Sequence, residues 1–150
     1  MTFEINIPNN IDGCVYKLWY YDRYVIIKCK TLARSIYGIK TDLRYFFKET
    51  RGGQRETNLY YDFYSYIEAN PSRTFKVEII LASNHPLELL KSEHISLEDA
   101  YADPKCLNKD FNVYIPKFTQ VNGKKSWINR GYYLNFKQWV KKRANQKTIE

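Results

Sequence analysis

Apolar positions in this chain change period several times, and each change marks an element. Residues 14–20 and 24–29 are rich in Val, Ile, Tyr and Trp, which fit a pleated, buried surface and predict two antiparallel strands joined through Tyr21-Asp22-Arg23. Cys14, Tyr16 and Leu18 fall on one face of the first strand and Val15 and Trp19 on the other. The hairpin is therefore expected inside a sheet covered on at least one side by helices. From Thr31 the step lengthens through Leu32, Ile36, Ile39 and Leu43, predicting a helix with Thr31 available as N-cap. Helical spacing returns at Leu59, Phe63, Tyr66 and Ile67 and stops at Asn70-Pro71. Residues 74–81 alternate again, which places Phe75, Val77, Ile79 and Leu81 on one face of a third strand. Pro86 then pre-sets the first turn of a helix that runs to about Tyr101 and is stopped by Asp103-Pro104.

The flanks carry weaker patterns. Phe3, Ile5 and Ile7 alternate with polar neighbours and predict an edge strand broken at Pro8. Residues 48–57 are polar around Gly52-Gly53 and read as an exposed loop. Beyond Asn108 the spacing predicts a pair of strands, 111–115 and 118–121, around Pro116, and then a tight turn at Asn122-Gly123. A basic helix over 135–145 follows, with Phe136, Trp139 and Val140 as its apolar stripe. The fold class is α+β: a small sheet of about three to four strands flanked by helices over residues 1–110. Residues 111–150 form a basic, aromatic-rich C-terminal extension of hairpin plus helix.

Composition places this 150-residue chain among soluble globular proteins with room for a real core. No apolar run approaches a membrane span and no signal-peptide layout opens the chain, so an intracellular protein, or one in a particle assembled inside a cell, is expected. Cys14, Cys29 and Cys106 are an odd count without a C-x-x-C pair, and His85 and His94 have no nearby cysteine, so neither a disulfide framework nor a structural zinc site is supported. Reduced, mostly buried thiols are the expectation. The net charge of +8 is unevenly spread: residues 1–110 hold 15 basic and 15 acidic side chains, whereas 111–150 hold nine basic residues and only Glu150 as an acid. One-sided charge of this kind suits nucleic acid or an acidic protein partner. Lys124, Lys125, Arg130, Lys137, Lys141, Lys142 and Arg143, interleaved with Trp127, Tyr132, Tyr133 and Trp139, are the candidate contacts for phosphate and base. The excess of Tyr, Asn, Lys and Ile is also what an AT-rich coding genome produces, as many phages have.

Nucleophile elbows, P-loops and dinucleotide fingerprints are absent. Glu93 stands out, because Leu89, Glu93 and Leu97 follow at four-residue steps and put a carboxylate on the stripe of core leucines. Both a metal ligand and a carboxylate paired at the edge of a core fit that placement.

One constellation joins these elements. Val15-Tyr16 on the first strand, Tyr24-Val25-Ile26-Ile27-Lys28 on the second, Arg34 in the next helix, Glu93 in the later helix and Asn108 just beyond it resemble the GIY-YIG nuclease family, as does the order of elements over residues 13–110. The resemblance implies DNA phosphodiester hydrolysis in which a tyrosine of the second motif acts as base, an arginine stabilises phosphoryl charge and the helix glutamate binds one divalent cation, Mg²⁺ or Mn²⁺. Two registers are open. With Val25-Ile26-Ile27 in the second motif, Lys28 and Leu32 match while the tyrosine becomes Val25 and the arginine Ser35. With Tyr24-Val25-Ile26 there, Tyr24 and Arg34 match while the lysine becomes Ile27. A one-residue slip turns every side chain to the other face, so only one can hold. Isoleucine replaces the glycine in both. The expected function is a catalytically degenerate domain serving as a nucleic-acid-binding or assembly module, in a phage particle or a DNA-handling complex. The alternatives are a working endonuclease using Tyr16, Tyr24, Arg34, Glu93 and Asn108, and a protein-protein scaffold with a basic tail.

Overall fold

The computed structural model describes residues 4–7, 9–48 and 58–108 in full and the backbone of 112–121 and 124–135. The chain divides into two compact units, Met1–Lys109 and Asp110–Glu150. The first unit is α+β, with three antiparallel strands and three helices.

Strands β1 (Cys14–Tyr20) and β2 (Arg23–Cys29) form the predicted hairpin, with Tyr20 opposite Arg23 and Cys14 opposite Cys29. The link is two residues long, and Tyr21 takes the left-handed conformation (φ 56°) that so short a connection demands. Its amide donates to the Thr74 carbonyl at 3.1 Å, which ties the turn to the approach of the third strand. Strand β3 (Phe75–Ala82) pairs with the other side of β1, giving the order β2-β1-β3. Being central, β1 buries Cys14, Val15, Tyr16 and Leu18 completely, whereas β3 is half-buried along most of its length.

The ladder slips once. Val15 faces Leu81 but Tyr16 faces Ile79, so Ile80 is an extra, bulged residue. Phe75, Val77 and Ile79 share a face with Tyr20, Leu18 and Tyr16 as expected, while Leu81 does not join them and turns to the Val15 face.

Helices α1 (Leu32–Lys48) and α2 (Tyr61–Ala69) cover the Tyr16 face. Leu32, Ile36, Ile39, Leu43 and Phe46 of α1 and Phe63, Tyr64 and Ile67 of α2 form one cluster with Tyr16, Leu18, Val25 and Ile27. Each such side chain contributes roughly 1.5–3 kcal/mol on leaving water. The first turn of α1 is satisfied from the loop before β1, since the Leu32 amide donates to the Ile11 carbonyl (2.9 Å) and the Ala33 amide to Asn10 Oδ1 (3.3 Å). Asp42 links the two helices by accepting from the Tyr64 hydroxyl (3.0 Å) and from Asn58 Nδ2 (3.2 Å).

Helix α3 (Pro86–Ala100) covers the opposite face, burying Leu89, Leu90, Leu97 and Ala100. His85 caps it by accepting the Leu87 amide on Nδ1 (3.2 Å), with Pro86 in the first turn as the sequence predicts. Gly13, entering β1, has φ +85° and lies where a Cβ would stand 2.2 Å from the Ser83 carbonyl oxygen. Only glycine lets the chain entering β1 meet the link between β3 and α3 this closely.

The N-terminal expectation is corrected. Residues 4–7 do not pair as a strand; Ile5 is buried in the Tyr16-face cluster as a non-ladder segment. The outer edge of β2 is flanked instead by the segment following α3, through an isolated bridge between Tyr24 and Cys106. There the Tyr24 amide donates to the Lys105 carbonyl (3.0 Å) and the Leu107 amide to the Tyr24 carbonyl (2.8 Å), in parallel.

In the second unit, β4 (Asn112–Val121) and β5 (Lys124–Asn135) form an antiparallel pair. Residues 112–115 and 118–121 are thus not partners around Pro116 but parts of one strand. Proline has no N–H for the ladder, and the register shifts at that point: Ile115 faces Tyr132 while Lys117 faces Ile128. Val121 and Lys124 are opposite one another, and the turn expected at Asn122-Gly123 lies outside the described residues. Asn135, the expected start of a helix, instead ends β5, while residues 49–57 of the expected loop, residues 136–145 of the expected helix, and with them Lys137, Lys141, Lys142 and Arg143, lie outside the described residues. Among the described residues no helix is long and apolar enough to cross a membrane.

Candidate functional site

The pairing of β1 with β2 fixes which side chains of the second strand share a face with Tyr16. Val25 lies opposite Leu18 and shares the α1/α2 face with Tyr16, whereas Tyr24 lies opposite Trp19 on the α3 face. Tyr16 and Tyr24 are therefore separated by the thickness of the sheet.

On the first face Tyr16 is fully buried, and its hydroxyl is 2.6 Å from the Ser35 hydroxyl. Burial raises its pKa well above that of free tyrosine, so the phenol stays neutral. Ser35 is the residue that the Val25 register puts in the arginine position. Arg34, one position earlier on α1, is exposed.

On the second face Tyr24 is 2% exposed, and its hydroxyl donates to Asp103 Oδ2 at 2.7 Å. Burial, then this hydrogen bond, raises its pKa, while the same bond is the main cause that holds the Asp103 carboxyl below its ordinary value. Lys17 Nζ sits 4.6 Å from the Tyr24 ring centroid and 4.0 Å from Glu78 Oε2. These groups, with Ser96 and Asp99 of α3, line a cavity of about 300 Å³.

Glu93 faces the sheet with its leucine neighbours, its side chain 18% exposed, and Lys28 Nζ approaches Oε1 to 4.0 Å. Burial raises its pKa and Lys28 only partly opposes this. The Glu93 charge also acts on the Tyr60 hydroxyl, which burial first, then Glu93 and Asp42, push up to about 12. Lys28 and Tyr24 are four positions apart on β2, about 13 Å of strand, so Tyr24 faces α3 at the level of Ser96 and Asp99 rather than at Glu93.

Asn108 is a backbone partner: Oδ1 accepts the Ile26 amide (2.8 Å) and Nδ2 donates to the Ile26 carbonyl (3.1 Å). Its amide mimics one more rung of ladder on the β2 edge.

The residues expected to form one site thus occupy separate surroundings: Tyr16 with Ser35, Tyr24 with Asp103, Glu93 with Lys28, Asn108 on the sheet edge, and Arg34 in solvent. For a divalent ion the fit is poor. Glu93 already carries an ammonium partner, and among the described residues no group of three His, Cys, Asp or Glu side chains could hold a metal. Ser35, Tyr60 and Asp103 were not singled out as site residues by sequence; only the Val25 register pointed toward Ser35.

A different grouping emerges on α1. Arg34, Tyr37, Arg44, Tyr45 and Lys48 are all exposed, Tyr37 and Tyr45 by 71% and 69%. At about 3.6 residues per turn they fall within roughly 100° of one another, on one side of about 21 Å of helix. Asp42, the only acid of α1, points away to α2. Lys124, Lys125 and Arg130 lie on β5.

Fold and side-chain placement together define a small α+β domain with helices on both faces of a three-stranded antiparallel sheet. No family model, curated protein or solved structure matches the chain.

Proposed function

We propose that this chain is a non-catalytic, nucleic-acid-binding module built on a GIY-YIG-like sheet whose hydrolytic groups have been lost. The observation that carries the reading is the orientation of the second strand. On the face of Tyr16 the second strand presents Val25 and Ile27, neither of which has a proton to exchange, while Tyr24 faces the other way and donates its hydroxyl hydrogen bond to Asp103. A hydrolytic base must reach its water within hydrogen-bond distance. The exposed Arg34-Tyr37-Arg44-Tyr45-Lys48 face of α1 supports the binding half, because cations flanked by open aromatic rings suit phosphates and unstacked bases. The basic excess of residues 111–150 supports it further.

Two measurements test this. Full-length protein incubated with supercoiled DNA and Mg²⁺ or Mn²⁺ is expected to leave it intact, and nicking that vanishes in Glu93→Gln would overturn the non-catalytic reading. Affinity for a single-stranded oligonucleotide is expected to fall linearly in log–log form with salt. The slope should drop by about 0.7 for each phosphate contact removed, as by Arg44→Ala. Absence of a salt slope would favour an acidic protein partner in an assembly instead.

A further inference from the structure

Cys14 and Cys29 are directly opposite one another on β1 and β2, and their sulfurs are 3.4 Å apart. Both are free thiols, Cys14 fully buried and Cys29 half-exposed. Which kind of cross-strand position they hold follows from the amides around them. The amides of Tyr24 and Ile26 point outward, to Lys105 and Asn108. By alternation those of Val25, Ile27 and Cys29 point toward β1. On β1 the Gly13 carbonyl faces β3, where it accepts from the Ser83 amide, so Cys14 faces β2. Cys14 and Cys29 are thus a hydrogen-bonded cross-strand pair, for which Cα atoms stand about 5.5 Å apart. That separation lies inside the range a disulfide spans, but the side chains of such a pair splay more than those of the alternating positions, so a bond formed there is strained.

We propose that Cys14 and Cys29 form a reversible oxidation site whose co-reactant is a low-molecular-weight disulfide of the glutathione type. Cys29, the accessible thiol, attacks first as thiolate: its sulfur bonds one sulfur of the reagent, the reagent's S–S bond breaks, and one small thiolate leaves. Cys14 then gives its proton to solvent and attacks the Cys29 sulfur, and the second small thiolate leaves. The protein loses two electrons and two protons, the reagent gains them as two thiols, and nothing else is consumed. The first step also assists the second, since Cys14 is held at about 12 by burial and by the neighbouring Cys29, and capping Cys29 removes the latter influence. Strain makes the product easy to reduce, which marks a labile rather than a structural bridge. Cys106 takes no part, for its thiol lies 3.3 Å from Asn108 Oδ1 beyond the opposite face of β2, the face carrying Tyr24.

The test uses the full chain. After exposure to oxidised glutathione under native conditions, intact mass is expected to fall by two hydrogens. Peptide mapping should join Cys14 to Cys29 and leave Cys106 alkylatable, and millimolar dithiothreitol should restore the starting mass. In Cys14→Ala the reaction should stop with one glutathione on Cys29. The proposal is overturned if wild type accumulates a stable glutathione adduct at Cys29, if both cysteines remain free while Cys106 reacts, or if the bridge resists the reductant. The wild-type map decides the matter even if the Cys14 variant does not fold.

Discussion

Glu93 occupies an unfavourable place for a charge, and the sign of its effect on stability follows directly. Its carboxyl is raised above 4.5 because burial penalises the ionised form more than Lys28 rewards it. A group raised in the folded state contributes stability that is fully present below its unfolded pKa and is lost as pH rises through the folded value. Glu93→Gln, which cannot ionise, is therefore expected to melt no lower than wild type at neutral pH, with the difference closing below pH 4.5. Thermal melts across that range check it, and a variant clearly less stable at neutral pH would mean that the Lys28 pair outweighs burial. At this scale the sequence was partly readable. The four-residue step through Leu89, Glu93 and Leu97 correctly put the carboxylate against the core. The partners of the tyrosines were not readable: Asp103 is 79 positions from Tyr24 and had only the signature of a helix stop, and Ser35 is an ordinary helix residue until the register of β2 is known.

Among the elements, the edge of β2 is where one side chain does most for the sheet. Asn108 satisfies both backbone groups of Ile26, so Asn108→Ala leaves a donor and an acceptor to find water in a half-buried seam. A loss of about 1–2 kcal/mol is expected, read as a lower midpoint in urea with unchanged slope. A variant of unchanged stability would return Asn108 to the list of candidate functional residues. The hairpin, all three helices and β3 were legible, because period and composition agreed in each. The bulge was not, since Ile79-Ile80-Leu81 are apolar at every position and alternation cannot register an extra residue among them. The N-terminal segment misled for a related reason: Ile5 seeks the core with or without a ladder, and the β2 edge was already taken by residues 105–108.

For the whole molecule, charge and fold divide at the same point. Residues 1–110 balance 15 basic against 15 acidic side chains, and the compact unit ends at Lys109 with its own core. A chain ending at Lys109 is expected to unfold in a single cooperative transition, followed by circular dichroism, and to bind DNA more weakly than the full chain because the nine basic residues of 111–150 are gone. Equal affinity would place binding entirely on α1. The charge division was visible in the sequence, whereas the α1 face was not, because only the fold reveals that Tyr37 and Tyr45 remain in solvent while Tyr64 and Tyr24 are buried.

The segment that flanks β2 also gives two of its amides a separate clock. Hydrogens on Tyr24 and Ile26 are shielded by residues 105–108 alone, whereas those of Val25 and Ile27 are shielded by β1. Amide exchange along this one strand is therefore expected to alternate, the even positions exchanging on the lower free energy of peeling the segment away and the odd positions only when the sheet itself opens.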